Sequence, residues 1–215
     1  MVIRWEWVAG ALALSAIGWW FSPLSPRPLY YPAPLAGSVV NCPMPPTVVD
    51  GAEPLQTPVP AGLQPFRLEP GTLTALAGFS IEGRVLSRRD YRTDRFSDFA
   101  PTDLGLGWGR MREDSVLAQI HFRQEVRFLT YRWPGRPPIP LPEIQRSSAN
   151  VHIVPANAAV ARELKRTHEG SNVRVDGWLV HVQSRHGWET DSSLTREDTG
   201  PGACEIVYAC SIRVR

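Results

Sequence analysis

The chain is short of lysine, cysteine and net charge. Lys165 is its single lysine among 23 basic residues, set against 21 acidic ones for a formal charge of +2. So small an imbalance, with arginine spread along the whole length, gives no reason to expect a nucleic-acid partner. The three cysteines, Cys42, Cys204 and Cys210, have no metal-ligand spacing, which argues against a zinc site. No cofactor signature stands out. "GLGWG" at 105–109 lacks the strand–turn–helix setting of a dinucleotide loop and reads as a tight turn that displays Trp108. "DTG" at 198–200 has neither the apolar strand before it nor the second aspartate that an aspartic-protease pair needs, and reads as a turn. No cofactor is expected.

The one long apolar run is also short. Residues 7–21, "WVAGALALSAIGWWF", carry no charge. As a helix they span about 22 Å, against roughly 30 Å of bilayer hydrocarbon. Trp5 and Ser22–Leu24 bring the segment near the lower limit for a crossing. A cleaved signal peptide needs small residues before its cut site, and here the run ends Trp-Trp-Phe. Tryptophan favours the membrane–water interface, so Trp5 with Trp7 and Trp19 with Trp20 read as two belts of an uncleaved anchor over residues 1–22. The positive-inside rule then leaves the N-terminus in the cytoplasm and the rest of the chain outside it.

Proline, by contrast, is abundant and uneven: 13 of the 21 lie between Pro23 and Pro70. That density removes backbone donors and favours extended, polyproline-like chain. Residues 23–70 are expected as a tether, either a semi-rigid spacer or a clasp lying along a partner. Trp19, Trp20, Phe21, Tyr30 and Tyr31 are the candidate partner contacts, being large amphipathic side chains of the type interfaces favour.

Residues 71–215 are expected as one globular domain, mainly β with one or two helices. Strands are predicted at 79–91, 125–133 and 150–154, and a short helix at 114–122 capped by Asp114 or Ser115. "RPPIPLPE" is expected as an extended loop. A second helix is predicted over 157–167, with Asn157 as cap and Gly170 beyond its end. In "SNVRVDGWLVHVQS" the apolar phase changes after Gly177, which predicts a bulge there. "CEIVYACSIRVR" alternates as a closing strand. The pattern suits a small barrel of oligonucleotide/oligosaccharide-binding (OB) type, with an α+β sandwich as the alternative.

Six residues of strand would hold Cys204 and Cys210 about 20 Å apart, whereas a disulfide needs Cα atoms within about 7 Å. Cys42 can pair with either, or the later two stay as buried thiols. The charged run 87–95 reads as a self-paired solvated face. The segment to test is "SSANVHIVPA": alternation puts Ser148, Asn150 and His152 on one side of a strand, either as a polar site or as a structural network. His152 with Asp198 or Cys204, or His181 with Cys204, would supply a thiol–imidazole or acid–imidazole pair.

"GRVLSRRDYRTDRFSDFAPTDLGLGWG", "SSANVHIVPA" and "SSLTREDTGPGACEIVYA" together resemble an uncharacterised family of bacterial membrane-anchored proteins over about residues 79–215. The resemblance implies a bacterial origin and no activity. The leading expectation is therefore a single-pass inner-membrane accessory or scaffolding subunit with a periplasmic β domain. Its partners would be the lipid bilayer and the subunits of an integral membrane complex. A periplasmic hydrolase is the first alternative. An OB-like module binding oligosaccharide or oligonucleotide on exposed Tyr131, Trp133 and Trp178 is the second.

Overall fold

The computed structural model describes residues 4–20, 30–38, 41–196, 200 and 202–215. The protein is mainly β. In chain order its elements are α1 (Trp5–Trp20), β1 (Leu55–Thr57), β2 (Phe66–Leu68), β3 (Gly71–Asp90) and β4 (Thr102–Gly107). After a 3-10 turn (Gly109–Arg112) come α2 (Asp114–Leu117), β5 (His121–Glu125), β6 (Phe128–Arg132), α3 (Leu141–Arg146) and β7 (Ser148–Pro155). The chain finishes with α4 (Ala158–Arg166), β8 (Asn172–Ser184), β9 (Glu189–Asp191) and β10 (Glu205–Val214).

Five strands close on themselves. β3 pairs antiparallel with β4, β4 with β7, and β10 with β8, while β7 and β10 run parallel and β8 returns antiparallel to β3. Period-2 alternation sends every second side chain inward. Phe79, Ile81, Leu104, Leu106, Val151, Ile153, Val175, Leu179 and Val207 form one apolar cluster to which all five strands contribute, so the cluster is the ring's interior. Each such side chain contributes about 1.5–3 kcal/mol by leaving water. Helix α4 joins the cluster through Val160 and Leu164. The Asn157 side chain accepts from the Ala159 and Val160 N–H groups and starts that helix where the sequence predicts.

Several expectations change. Among the described residues three helices accompany α1, not one or two, because α3 begins within the proline-rich stretch. Pro142 lies in its first turn, where the missing N–H has no helical partner to lose. Helix α2 is a single turn preceded by Glu113, and no side chain caps it. The predicted strand 125–133 is instead the tip and second arm of a hairpin. The bulges fall at Leu76 and Leu86 of β3 and at Cys210 of β10, beside Gly177 and not on it. β8 keeps its phase and is buried on both faces. Gly177 is needed for closeness, since a Cβ there would run into the Tyr208 carbonyl. Trp108 is not displayed on a turn; it is 3% exposed in the ring cluster.

The proline-rich strip is a strap on its own domain. β1 and β2 both pair with β3, Pro34 bridges to Leu68, and Cys42 is disulfide-bonded to Cys210. The Trp178 indole N–H donates to the Pro43 carbonyl at 2.8 Å, and Val48 N–H donates to Ser80 Oγ at 2.8 Å. An extended chain without internal hydrogen bonds keeps its carbonyls free for such contacts. Underneath lies a second apolar cluster of Phe66, Leu68, Leu73, Trp178, Val180 and Tyr208. Helix α1, 16 residues long, has no buried residue, and no helix among the described residues is long and apolar enough to cross a membrane.

Candidate functional site

The register of the ring decides which polar residues meet. Asp103 of β4 is the cross-strand partner of His152 of β7, and Gly105 is that of Asn150. Since Leu104, Val151 and Ile153 point inward, Asp103, Asn150 and His152 point outward together. His152 Nδ1 lies 2.8 Å from Asp103 Oδ1, an ion pair when the ring is protonated. Burial alone would push the imidazole down; the Asp103 carboxylate outweighs that and holds its pKa at about 9. The Cys204 thiol, just ahead of β10, lines the same pocket as the His152 ring and helps to raise its pKa. Cys204 is half-buried, and it is the free cysteine left by the Cys42–Cys210 bridge.

A hairpin covers this face. β5 and β6 are joined by Val126 and Arg127, both with left-handed backbone (φ 46° and 68°). Two successive left-handed residues match a tight hairpin turn, but asparagine and glycine normally occupy it, and a β-branched valine there is strained. Contacts made by Arg127 hold the turn. Its guanidinium donates to Asp103 Oδ1 (2.8 Å), to the Ala100 carbonyl (2.9 Å) and to both oxygens of Asp94 (2.8 and 2.9 Å), and lies 3.9 Å from the Tyr91 ring centroid. The turn also aims the Arg127 carbonyl inward. Asn150 Nδ2 donates to it at 2.7 Å and the Cys204 thiol at 3.6 Å, while Gln124 Nε2 donates to Asn150 Oδ1 at 2.8 Å. Asn150 Nδ2 lies 3.5 Å from Cys204 Sγ.

These groups border an open pocket of about 360 Å³. His152, Cys204 and Ile206 line it with Phe96, Phe128 and Trp188, and Asp94, Arg95 and Asp191 add charge. Phe96 stands edge-on to His152 at 5.4 Å and to Trp188 at 5.8 Å. The contributing segments are the β3–β4 loop, the hairpin tip, β7 and the β8–β10 connection. Chemically the set comprises a thiol, an imidazole within its reach and a buried carboxylate that orients the imidazole, which are the roles nucleophilic catalysis needs. Among the described residues no group of three or more His, Cys, Asp or Glu side chains is arranged to hold a metal ion.

Of the polar trio expected on β7, Asn150 and His152 belong to the site. Ser148 does not, as its Oγ donates to the Ile144 carbonyl at 2.7 Å and ties β7 to α3. His152 and Cys204 line the same pocket, whereas Asp198 and the rest of 197–199 lie outside the described residues. His181 is held by Asp191, Nδ1 to Oδ1 at 2.8 Å. The charged run is not simply solvated, because Asp94 and Arg95 line the pocket. Tyr131 and Trp133 stack at 6.0 Å, but Trp178 is 1% exposed beneath the strap, so the three aromatics form no platform. Trp19 (52%), Trp20 (47%) and Tyr30 (49%) are exposed, Tyr31 is half-buried, and Phe21 lies outside the described residues.

Asp103 and Arg127 were not legible as site residues. A lone acid opposite the leucines of "TDLGLG" was the available signal for Asp103. Arg127 had none, since its turn contains neither glycine nor asparagine. No protein-family model, curated protein or solved structure matches the chain.

Proposed function

We propose that this protein is a membrane-anchored, thiol-dependent hydrolase acting in the bacterial periplasm, with its site on the ligand face of an OB-like barrel. The observation that carries the reading is that Cys204 and His152 line one pocket, with the buried Asp103 carboxylate 2.8 Å from the imidazole. Ring order supports the likeness in fold: a long bent first strand, a parallel closing pair and a helix between the third and fourth ring strands. Barrels of that type bind ligands on the face of their second and third strands, between the first-to-second and fourth-to-fifth connections. Here those are β4, β7, the 91–101 loop and the 185–204 connection, the segments around the pocket.

In the proposed reaction Cys204 sulfur adds, as the thiolate, to a substrate carbonyl carbon while the His152 imidazolium beside it already holds a proton. The leaving group departs with that proton as the carbonyl re-forms, giving a thioester. Water then attacks the thioester, the now neutral His152 accepts its proton, and the acid product is released with the thiolate–imidazolium pair restored. Asp103 keeps the imidazole oriented and stabilises its cationic form, while Arg127 and Asn150 hold the turn carbonyl over the sulfur. The Cys42–Cys210 disulfide supports an oxidising compartment. The Trp-flanked α1 supports an anchor.

Ester hydrolysis by the full-length protein in mild detergent tests this. Cys204→Ser and His152→Ala should each lower kcat/KM by about 10²-fold or more. Variants that fold and hydrolyse at the wild-type rate would refute the reading. A second reading, an accessory subunit of a membrane complex, is favoured by the exposed indoles of α1. It predicts co-purification of a membrane partner that is lost when Trp19 and Trp20 are both replaced by alanine.

A further inference from the structure

The acids around the pocket are already engaged inside the protein. Asp94 holds Arg127 through both oxygens. Asp191 takes the His181 ring at 2.8 Å. Asp103 sits between Arg127 and His152. Arg95 differs from the other cations. It is exposed, lines the same pocket, and has no carboxylate partner among the described residues; its guanidinium lies 5.6 Å from the Trp188 ring centroid. The ring holds the guanidinium near the pocket while leaving its in-plane N–H fork free, and that fork matches the oxygens of a carboxylate or phosphate.

The remaining lining is mainly apolar. Phe96, Phe128, Trp188 and Ile206 supply it, and Trp188 is packed edge-on against both Phe96 and Phe99, at 5.8 and 5.6 Å. A preformed wall loses little entropy on binding. At about 360 Å³ the space is at the small end of ligand pockets, so a short chain fits and a long one does not.

Resting on the hydrolase reading above, we infer that the substrate is a short amphiphilic acyl compound. Its anionic group docks on Arg95, its apolar chain lies against Phe96, Phe128 and Trp188, and its acyl carbon is presented to Cys204. Ester, amide and neutral polar substrates without that anion bind more weakly.

Occupancy can be read without turnover, because Cys204 is the free thiol. The full chain in detergent is alkylated with iodoacetamide, and the rate is followed by mass spectrometry in the presence of hexanoate, hexyl phosphate or hexanamide. Hexanoate or hexyl phosphate should protect at roughly one-tenth the concentration that hexanamide needs, and the better of the two identifies carboxylate or phosphate as the natural anion. Arg95→Gln should erase the preference with the thiol still reactive, and Arg95→Lys should retain part of it. Equal protection by hexanoate and hexanamide, no protection by any of the three, or an unchanged preference in Arg95→Gln would overturn the inference. Anion-selective protection in a protein that hydrolyses nothing would refute the hydrolase reading alone. Hydrolysis without anion selectivity would refute only the substrate class.

Discussion

Strands β4 and β7 carry two buried surfaces of opposite character. Inward, Leu104, Leu106, Val151 and Ile153 are fully enclosed and contain no polar side-chain atom. Outward, Asp103, Asn150 and His152 are also buried, at 0, 7 and 7% exposure, under a hairpin tip pinned by Arg127. An apolar face loses stability in increments, roughly in proportion to the atoms removed. A buried charged face stands or falls as a set, because each group that loses its partner keeps its full cost of leaving water. The same alternation that builds the closed ring of strands therefore sets reactive groups one side chain away from its core.

The sharpest break in that comparison is Asp103→Ala. It removes the counter-ion of His152 and one of the two carboxylates that hold Arg127, and should destabilise the protein by about 3–5 kcal/mol, read by chemical denaturation. A cost within about 1 kcal/mol would mean that the outer face is not a coupled charge set. Next is the strap, which seals a different stretch of outer surface by apolar burial and one covalent bond. Cys42→Ser should cost about 2–5 kcal/mol, with the loosened Trp178 reporting through its fluorescence. A smaller effect of opposite sign is expected at the hairpin tip. Val126 is exposed and strained, so Val126→Asn should raise stability by about 0.5–1 kcal/mol, read by chemical denaturation. Destabilisation there would show that the valine side chain makes a contact that matters.

The inner face was largely readable from the sequence and the outer one was not. Alternation located β3, β7, β8 and β10, and Asn157 with Gly170 bounded α4, because these signals are local. The strap was read as a tether because proline density reports missing donors and says nothing of which carbonyls find partners. Helix α3 was missed because Pro142 falls in its first turn, where proline is tolerated. On the outer face, alternation grouped Asn150 with His152, and the thiol of Cys204 was among the partners considered. Asp103 could not be added, because its pairing with His152 depends on a register between strands 49 residues apart. Nor could Arg127, whose role follows from an unusual turn and from a guanidinium reaching Asp94 and Asp103.

The proposed chemistry depends on one local arrangement, an imidazole held cationic by Asp103 in the pocket that Cys204 also lines. Nuclear magnetic resonance titration of the His152 ring in the full-length protein tests it most directly. A midpoint near pH 9 that moves when Cys204 is alkylated is the predicted result. The sign has a consequence for stability. A raised folded-state pKa stabilises the protein fully below about pH 6.5, and that contribution, on the order of 3 kcal/mol, is lost as pH rises toward 9. A midpoint at or below about 6.5, indifferent to the state of Cys204, would contradict the account.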